Sequence, residues 1–375
     1  MNELLQYCPQ PPDWKLDWPT LHDRYPWIQA LDGCPQDPIY HAEGDVGIHV
    51  RLVCEALIAA DAWRTLPDAD RGTLFLAALF HDVGKPDCTR TDADGRISSR
   101  GHSRRGAIMA RRILWRLGLP FAQREAVTAL VRWHQVPYHL LEGNDAQRRA
   151  ITVSQTARCD HLAILAEADV RGRVCHDQQR LLDNVSLFAE YCREEGCLTT
   201  PRPFPSDHAR FVYFQNAGRH SDAPVHDDCR GEVVLMSGLP GAGKDHWIRS
   251  HLPDWPVVSL DAIRGELDVE PTDEQGAVIQ HARDLARQHL RAGRSFVWNA
   301  TSLTRQLREL SIRLFADYRA RVRIIYREVP AERLLRQNGQ RPAPVPRAVI
   351  ERMLDRWETP DRTEAHQVDW CVDES

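Results

Sequence analysis

Lysine is almost absent from this chain: of its 48 basic side chains, 45 are Arg and three are Lys, at Lys15, Lys85 and Lys244. Arg is a planar fork and Lys a compact point charge on a flexible stem, so the few lysines mark positions where Arg would serve poorly. Paired cysteines are also missing. Ten cysteines are scattered along the chain with no C-x-x-C pair, which fits reduced thiols better than a disulfide framework or a zinc site. No run approaches the roughly 18 apolar residues of a membrane span. The first residues, MNELLQYCPQPPDWKLDWP, lack a basic start followed by an apolar stretch, so no secretory signal is expected and a cytoplasmic location is. A strongly basic balance is missing too: net charge is −5, which excludes a general polyanion binder. What is present, 42% apolar and 27% charged residues, is the composition of an ordinary globular protein. At roughly 150 residues per domain, 375 residues imply two domains.

Two periodicities divide the chain. From residue 42 to about 195, the stretches VGIHVRLVCEALIAADAWR, GTLFLAALFHDV, HSRRGAIMARRILWRLG, AQREAVTALVRWHQ and TARCDHLAILAEADVRGR carry apolar residues at three- and four-residue spacing. They predict an all-α domain over 1–198. Residues 199–230, rich in Pro, Asp, His and Gly, read as a linker. Over 231–375 the β-branched runs EVVLMSG, PVVSLD, SFVWNATS and RVRIIYREV alternate with helical patterns. That alternation predicts an α/β domain with a parallel sheet.

In the helical half, His81-Asp82 closes a buried run, offering one imidazole and one carboxylate. His49 shares a face with Leu52, Val53 and Ala56; His102 with Gly106, Met109 and Ile113; His134 with Val127, Leu130 and Val131; Asp169 with Leu162, Leu165 and Ala166. A single histidine on an apolar face is more often a satisfied core residue. A buried carboxylate is very costly without a cation, and four helices each presenting such a group inward make a shared metal centre the economical reading. Imidazole and carboxylate suit divalent transition ions. Six ligands allow one ion, or two bridged by Asp82 with a bridging water as nucleophile. Lys85 and Arg173, one turn from His81 and Asp169, reach the same pocket, either as phosphate ligands or as salt bridges at its rim. His41 reads as a surface histidine ahead of its helix.

This order of residues resembles the HD-domain phosphohydrolases over about 41–195. The resemblance implies metal-dependent removal of phosphate from nucleotides, cyclic nucleotides or RNA ends.

In the second half, Gly238-Leu-Pro-Gly241-Ala242-Gly243-Lys244-Asp245 lies between a strand and a helix, the context of a P-loop, whose N–H groups hold phosphates while Lys244 neutralises them. Asp245 stands where a Ser or Thr hydroxyl normally binds Mg2+. Asp261 ends the second strand, where parallel sheets place ligands. It is either the acceptor of a hydroxyl proton, with Arg264 on a neighbouring phosphate, or a helix N-cap. Thr301 is a further strand-end group or cap. The stretch RLLRQNGQRPAPVPR, with Arg336, Arg341 and Arg347, has the composition of a mobile loop able to close over a polyphosphate.

These motifs resemble the P-loop polynucleotide kinases over about 231–360. By that resemblance Asp261 is the general base, Arg264 contacts the substrate phosphate, and Arg341, with Arg336, clamps the Mg2+-bound ATP or other NTP. An HD domain followed by such a kinase is similar to the bacterial end-healing enzymes called HD-Pnk. The implied function is bifunctional repair of RNA or DNA strand ends: the HD half removes 2′,3′-cyclic, 2′- or 3′-phosphates, the kinase half phosphorylates a 5′-hydroxyl, and a separate polynucleotide ligase acts downstream. Two other readings use the same motifs: a nucleotidase joined to a nucleoside or metabolite kinase, and a nucleotide-gated sensor.

Overall fold

A computed structural model describes residues 3–270, 273–341 and 343–374, and the chain divides into two compact units, residues 1–202 and 203–375. Among the described residues no helix is long and apolar enough to cross a membrane.

The first unit is a helical bundle. Its site-bearing helices are α1 (Val46–Ala59), α2 (Asp68–Phe80), α3 (His102–Arg116), α4 (Phe121–Trp133), α5 (Cys159–Arg171) and α6 (Gln178–Glu194). Asp45 starts α1 by accepting the Ile48 N–H at 2.9 Å, satisfying one of the donors a helix start leaves open. Asp68 and Asp70 in the first turn of α2 favour its N-terminus. From Arg71 to Phe80 every residue of α2 is buried, which makes α2 the central helix of the bundle. After α2 the chain turns through Gly84, where a Cβ would lie 2.4 Å from the His102 carbonyl oxygen and 2.6 Å from the Gly106 nitrogen. The missing side chain lets the start of α3 come down onto the segment that carries Asp82.

The second unit is α/β. It contains α7 (Asp207–Gln215), β1 (Glu232–Ser237), α8 (Lys244–His251), β2 (Val257–Ser259), α9 (Leu260–Leu267), α10 (Gly276–Arg291), β3 (Phe296–Asn299), α11 (Arg305–Asp317), β4 (Arg321–Glu328), α12 (Ala331–Gly339), α13 (Arg347–Leu354) and β5 (Gln367–Val372). The five strands pair in the order β2-β3-β1-β4-β5, all parallel. Along β1, Val233 and Leu235 enter one core and Val234 and Met236 the other, the two-sided burial of a parallel sheet flanked by helices.

Three expectations need correction. The stretch 199–230 contains a helix, α7, capped by Ser206 and anchored by Phe211 in the core of the second unit. The fifth strand, β5, extends the sheet beyond the four runs recognised in the sequence. Half of the arginine-bearing stretch is helix: α12 buries Leu334 and Asn338 one turn apart, and the Asn338 amide exchanges hydrogen bonds of 2.8 and 3.1 Å with the backbone of Val345. Pro342 of that stretch lies outside the described residues.

Gly84→Ala should destabilise the helical unit by roughly 1–3 kcal/mol, the usual cost of forcing atoms into a packed contact. Thermal unfolding of the full chain checks this, and an unshifted melting profile would show that the contact yields freely.

Candidate functional sites

Each ligand candidate of the helical unit comes from the end or the inner face of a helix. His81 and His134 sit at the C-caps of α2 and α4. Their Nδ1 atoms lie 2.8 Å from the carbonyl oxygens of Ala78 and Val131, among the last carbonyls of each helix, which have no partner within it. His102, the first residue of α3, has Nδ1 2.7 Å from the Ser99 carbonyl. A carbonyl only accepts, so each Nδ1 carries the proton and donates it, and in the neutral ring each Nε2 is left as a lone pair. His49 presents Nδ1 to a carboxylate instead, 2.9 Å from Glu43 Oε1.

These Nε2 atoms converge on Asp82. One carboxylate oxygen, Oδ2, is 3.3 Å from His81 Nε2 and 3.7 Å from His49 Nε2; the other, Oδ1, is 3.2 Å from His102 Nε2 and 3.8 Å from His134 Nε2. The imidazoles also face each other in pairs, with His49 and His81 Nε2 3.3 Å apart and His102 and His134 Nε2 3.3 Å apart. Two such lone pairs at this distance repel unless a cation lies between them. Asp82 Oδ1 is buried with no hydrogen-bond partner, an expensive state for a carboxylate oxygen. Two groups of ligand atoms, His49–His81–Asp82 and Asp82–His102–His134, therefore fit one ion each with Asp82 between them. Asp169 joins the first, its Oδ1 3.1 Å from His49 Nε2.

The electrostatics follow from burial and charge. Burial alone would push the Asp82 and Asp169 carboxyls up. Lys85 and His81 hold Asp82 well below the usual carboxylate range, and Arg173 and His49 do the same for Asp169. Burial and the neighbouring His102 lower His134 to about 3. Burial works against a proton on His81, but Asp82 and Asp169 outweigh it and raise that ring.

Lys85 and Arg173 reach the pocket as expected, and both are engaged there by carboxylates. Lys85 Nζ is 2.7 Å from Asp82 Oδ2 and donates to Gln36 Oε1 at 2.6 Å. Arg173 forks onto Asp169 at 2.9 and 2.7 Å, and Tyr138 donates its hydroxyl to the same carboxylate at 2.7 Å. His41 is corrected from surface histidine to part of the centre: its Nδ1 lies 2.8 Å from Glu43 Oε1, and burial lowers it to about 4. Glu43, which sequence reasoning passes over, thus lies against two rings at once, 2.8 Å from His41 Nδ1 and 2.9 Å from His49 Nδ1. Its only signal is its place between His41 and His49 in HAEGDVGIH.

In the α/β unit the loop after β1 turns at Gly238, Gly241 and Gly243, all with positive φ, a region that side chains rarely adopt. At Gly238 a Cβ would also lie 2.4 Å from the Arg327 carbonyl oxygen. Ala242 is buried between the last two of these glycines, and α12 packs directly on Gly241. Lys244 opens α8 and folds back on its own loop, donating to the carbonyls of Gly238 and Leu239 at 2.8 and 3.1 Å. Burial lowers it to about 8, against the opposing pull of Asp245 and Asp261. Asp245 neither caps the helix nor meets Arg341; it accepts a 2.7 Å hydrogen bond from Asn299, at the end of β3. Ser259 caps α9, so Asp261 is not the cap. Asp261 pairs with Arg264 and lies 3.8 Å from Arg341, while Arg264 also donates to Gln275 at 2.7 Å. Thr304, not Thr301, caps α11. Lys244, Asp245, Asp261 and Arg341 thus share one electrostatic neighbourhood. Arg336 is exposed on α12, and among the described residues no hydrogen bond or ion pair ties it to the loop.

Comparison with known proteins matches each unit to a family. An HD domain model matches residues 46–170 and an AAA domain model residues 233–360. The chain is therefore an HD phosphohydrolase-type domain fused to a P-loop kinase-like domain. Relatives called multifunctional CCA protein share the HD part. That of Thioalkalivibrio sulfidiphilus is 33% identical over 162 residues, covering 40% of this chain and 35% of its own. That of Halorhodospira halophila is 36% identical over 117 residues, 31% and 26%, and that of Ralstonia nicotianae 35% identical over 172 residues, 44% and 37%. The chain thus spans about a third of the length of the curated relatives it matches. A solved structure from Chloroflexus aurantiacus overlaps 39% of this chain and 86% of its own at 15% identity and a TM-score of 0.32, a likeness too slight to bear on the fold.

Glu43→Ala should weaken binding of a divalent transition ion about 10- to 100-fold, the usual effect of removing a group that orients a ligating histidine. Competition with a chromophoric chelator measures it, and unaltered affinity would assign Glu43 to loop packing alone. In the P-loop, nucleotide phosphates should raise Lys244 from its depressed value near 8. NTP binding should therefore take up protons, and weaken, as pH climbs through 8 to 9. Calorimetric titration in buffers of differing ionisation enthalpy reads the uptake, and none at pH 8.5 would remove Lys244 from the phosphate site.

Proposed function

We propose that the chain heals broken nucleic-acid strands on both sides of the break. The helical unit removes 2′,3′-cyclic, 2′- or 3′-phosphates to leave hydroxyls, and the α/β unit transfers the γ-phosphate of Mg2+-bound ATP or another NTP to a 5′-hydroxyl. A separate ligase in the same compartment, the cytoplasm, then joins the ends. The observation that carries the reading is the pairing, in one chain, of a His/Asp centre built around Asp82 with a P-loop beside an open Asp261–Arg264 pair. The Asp261 side chain is 74% exposed, so a hydroxyl at the end of a long strand can reach it, unlike an acceptor enclosed in a small-molecule pocket. The kinship of the helical unit with multifunctional CCA proteins supports a nucleic-acid substrate.

His49, His81, Asp82, His102, His134 and Asp169 hold one or two divalent transition ions. The chemistry such ions supply when bound is polarisation of a phosphate oxygen and a water activated for attack. The chain's own groups set the stage: backbone carbonyls and Glu43 fix the rings, and Lys85 and Arg173 balance the carboxylates at the pocket wall. In the kinase unit Gly238, Gly241, Ala242 and Gly243 offer the phosphate cradle. Lys244 leaves its own carbonyls to meet the phosphates. Asp261 accepts the proton of the attacking hydroxyl, Arg264 holds the neighbouring strand phosphate, and Arg341, with Arg336, steadies the donor. Asp245, held by Asn299, stands in the sequence where a Ser or Thr hydroxyl would hold Mg2+ with a nucleotide bound.

The two activities should be separable. Asp82→Ala should abolish phosphate release from a 3′-phosphate oligonucleotide and leave labelling of a 5′-hydroxyl oligonucleotide by γ-labelled ATP near normal. Asp261→Asn should lower that labelling by about 10² or more with ATP still bound. If the wild-type chain labels a mononucleoside and ignores the oligonucleotide, the acceptor is a small molecule and strand healing is wrong.

A further inference from the structure

Cys159, Cys192 and Cys197 lie up to 38 positions apart in sequence, and their sulfur atoms all fall within 4.8 Å of one another. All three are sealed from solvent, at 0%, 0% and 1% exposure. Cys159 is the first residue of α5, Cys192 lies in the last turn of α6, and Cys197 is the third residue beyond α6, its N–H bonded to the Cys192 carbonyl at 2.8 Å. The two helices are joined again beside the cluster, where the Asp160 N–H donates to the Leu198 carbonyl at 2.9 Å. Buried cysteines often act as small apolar side chains, but three meeting at one point offer a soft ligand set.

We propose that Cys159, Cys192 and Cys197 bind a zinc-class thiophilic d10 cation that staples the start of α5 to the end of α6, distinct from the histidine–carboxylate centre. The spacing suits it: Zn–S bonds of about 2.3 Å place thiolates roughly 3.8 Å apart. Three thiolates and a dication together carry a single negative charge, and the Ser154 hydroxyl, which donates to the Ile151 carbonyl at 2.7 Å and accepts the Arg202 N–H at 3.1 Å, is engaged elsewhere. Metal entry displaces three thiol protons to solvent and involves no oxidation.

A second sulfur-containing cluster, His208, Cys229 and His366, lacks this chemistry. His366 Nδ1 accepts the Val322 N–H at 3.0 Å, so the neutral ring carries its proton on Nε2. That is the atom facing His208 Nδ1 at 3.0 Å and Cys229 Sγ at 3.6 Å, and it has no lone pair to give a metal there.

The test replaces the metals of the full-length chain with Co2+. The histidine–carboxylate centre contains no sulfur, so a near-ultraviolet thiolate-to-cobalt charge-transfer band reports thiolate ligation specifically. The expected result is about one such site per chain, kept in Cys229→Ser and lost in Cys197→Ser. No band in the folded wild-type chain would overturn the proposal, as would a band lost in Cys229→Ser. Thiol titration of unfolded, unreduced protein adds a check that needs no variant: all ten thiols should react, and eight would mean a disulfide in place of a metal site.

Discussion

The helical unit depends on one unfavourable thing being made tolerable, a carboxylate at the centre of a bundle. Asp82 is sealed from water and ringed by imidazole nitrogens whose lone pairs point at it and at each other. Asp169, equally sealed, adds a second such penalty beside it, and the architecture around the pair meets both. The loop through Gly84 brings α3 close enough to add His102, α4 ends where His134 enters, and α5 adds Asp169 with Arg173 to balance it. A bundle packed only for apolar contact has no reason to aim four histidines at one acid.

The α/β unit solves a different problem. The glycine loop, Asp261 and Asn299 all lie at or just beyond the carboxyl ends of β1, β2 and β3, the side on which open parallel sheets bind ligands. Here Asp261 is open to solvent and balanced by Arg264 and Arg341, while the half-buried Lys244 is held by the carbonyls of its own loop. One chain thus carries a sealed cluster of histidines and carboxylates in one unit and a more open group of charges beside a glycine loop in the other.

Much of this is legible in the sequence. Four of the six candidate ligands, His49, His102, His134 and Asp169, fall on apolar helical faces in the sequence, and a polar residue on such a face stands out by its cost. The first four strands follow from β-branched runs, and Lys244 stands out through the scarcity of lysine. What escapes does so for physical reasons. Glu43 lies in a loop with no periodicity, and its role exists only once α1 turns His49 towards it. Strand β5, QVDWCV, is short and alternates with polar residues at the sheet edge. Helix α7 is hidden in a stretch dominated by Pro, Asp and His, though Ser206 three residues before Ala209 is a capping signal. The cysteine cluster has no spacing motif because its members meet through the pairing of α5 with α6.

The ring orientation of the histidines carries a consequence for how this centre tolerates change over generations. Three of the four rings take their orientation from main-chain oxygens, those of Ala78, Ser99 and Val131. Every amino acid brings the same carbonyl, so substitution at those positions leaves the orienting group in place provided the helix ends are kept. Only His49 is set by a side chain. Drift in a lineage can therefore turn the His49 ring through one side chain, Glu43, while the other three rings are insulated by the covalent sameness of the backbone.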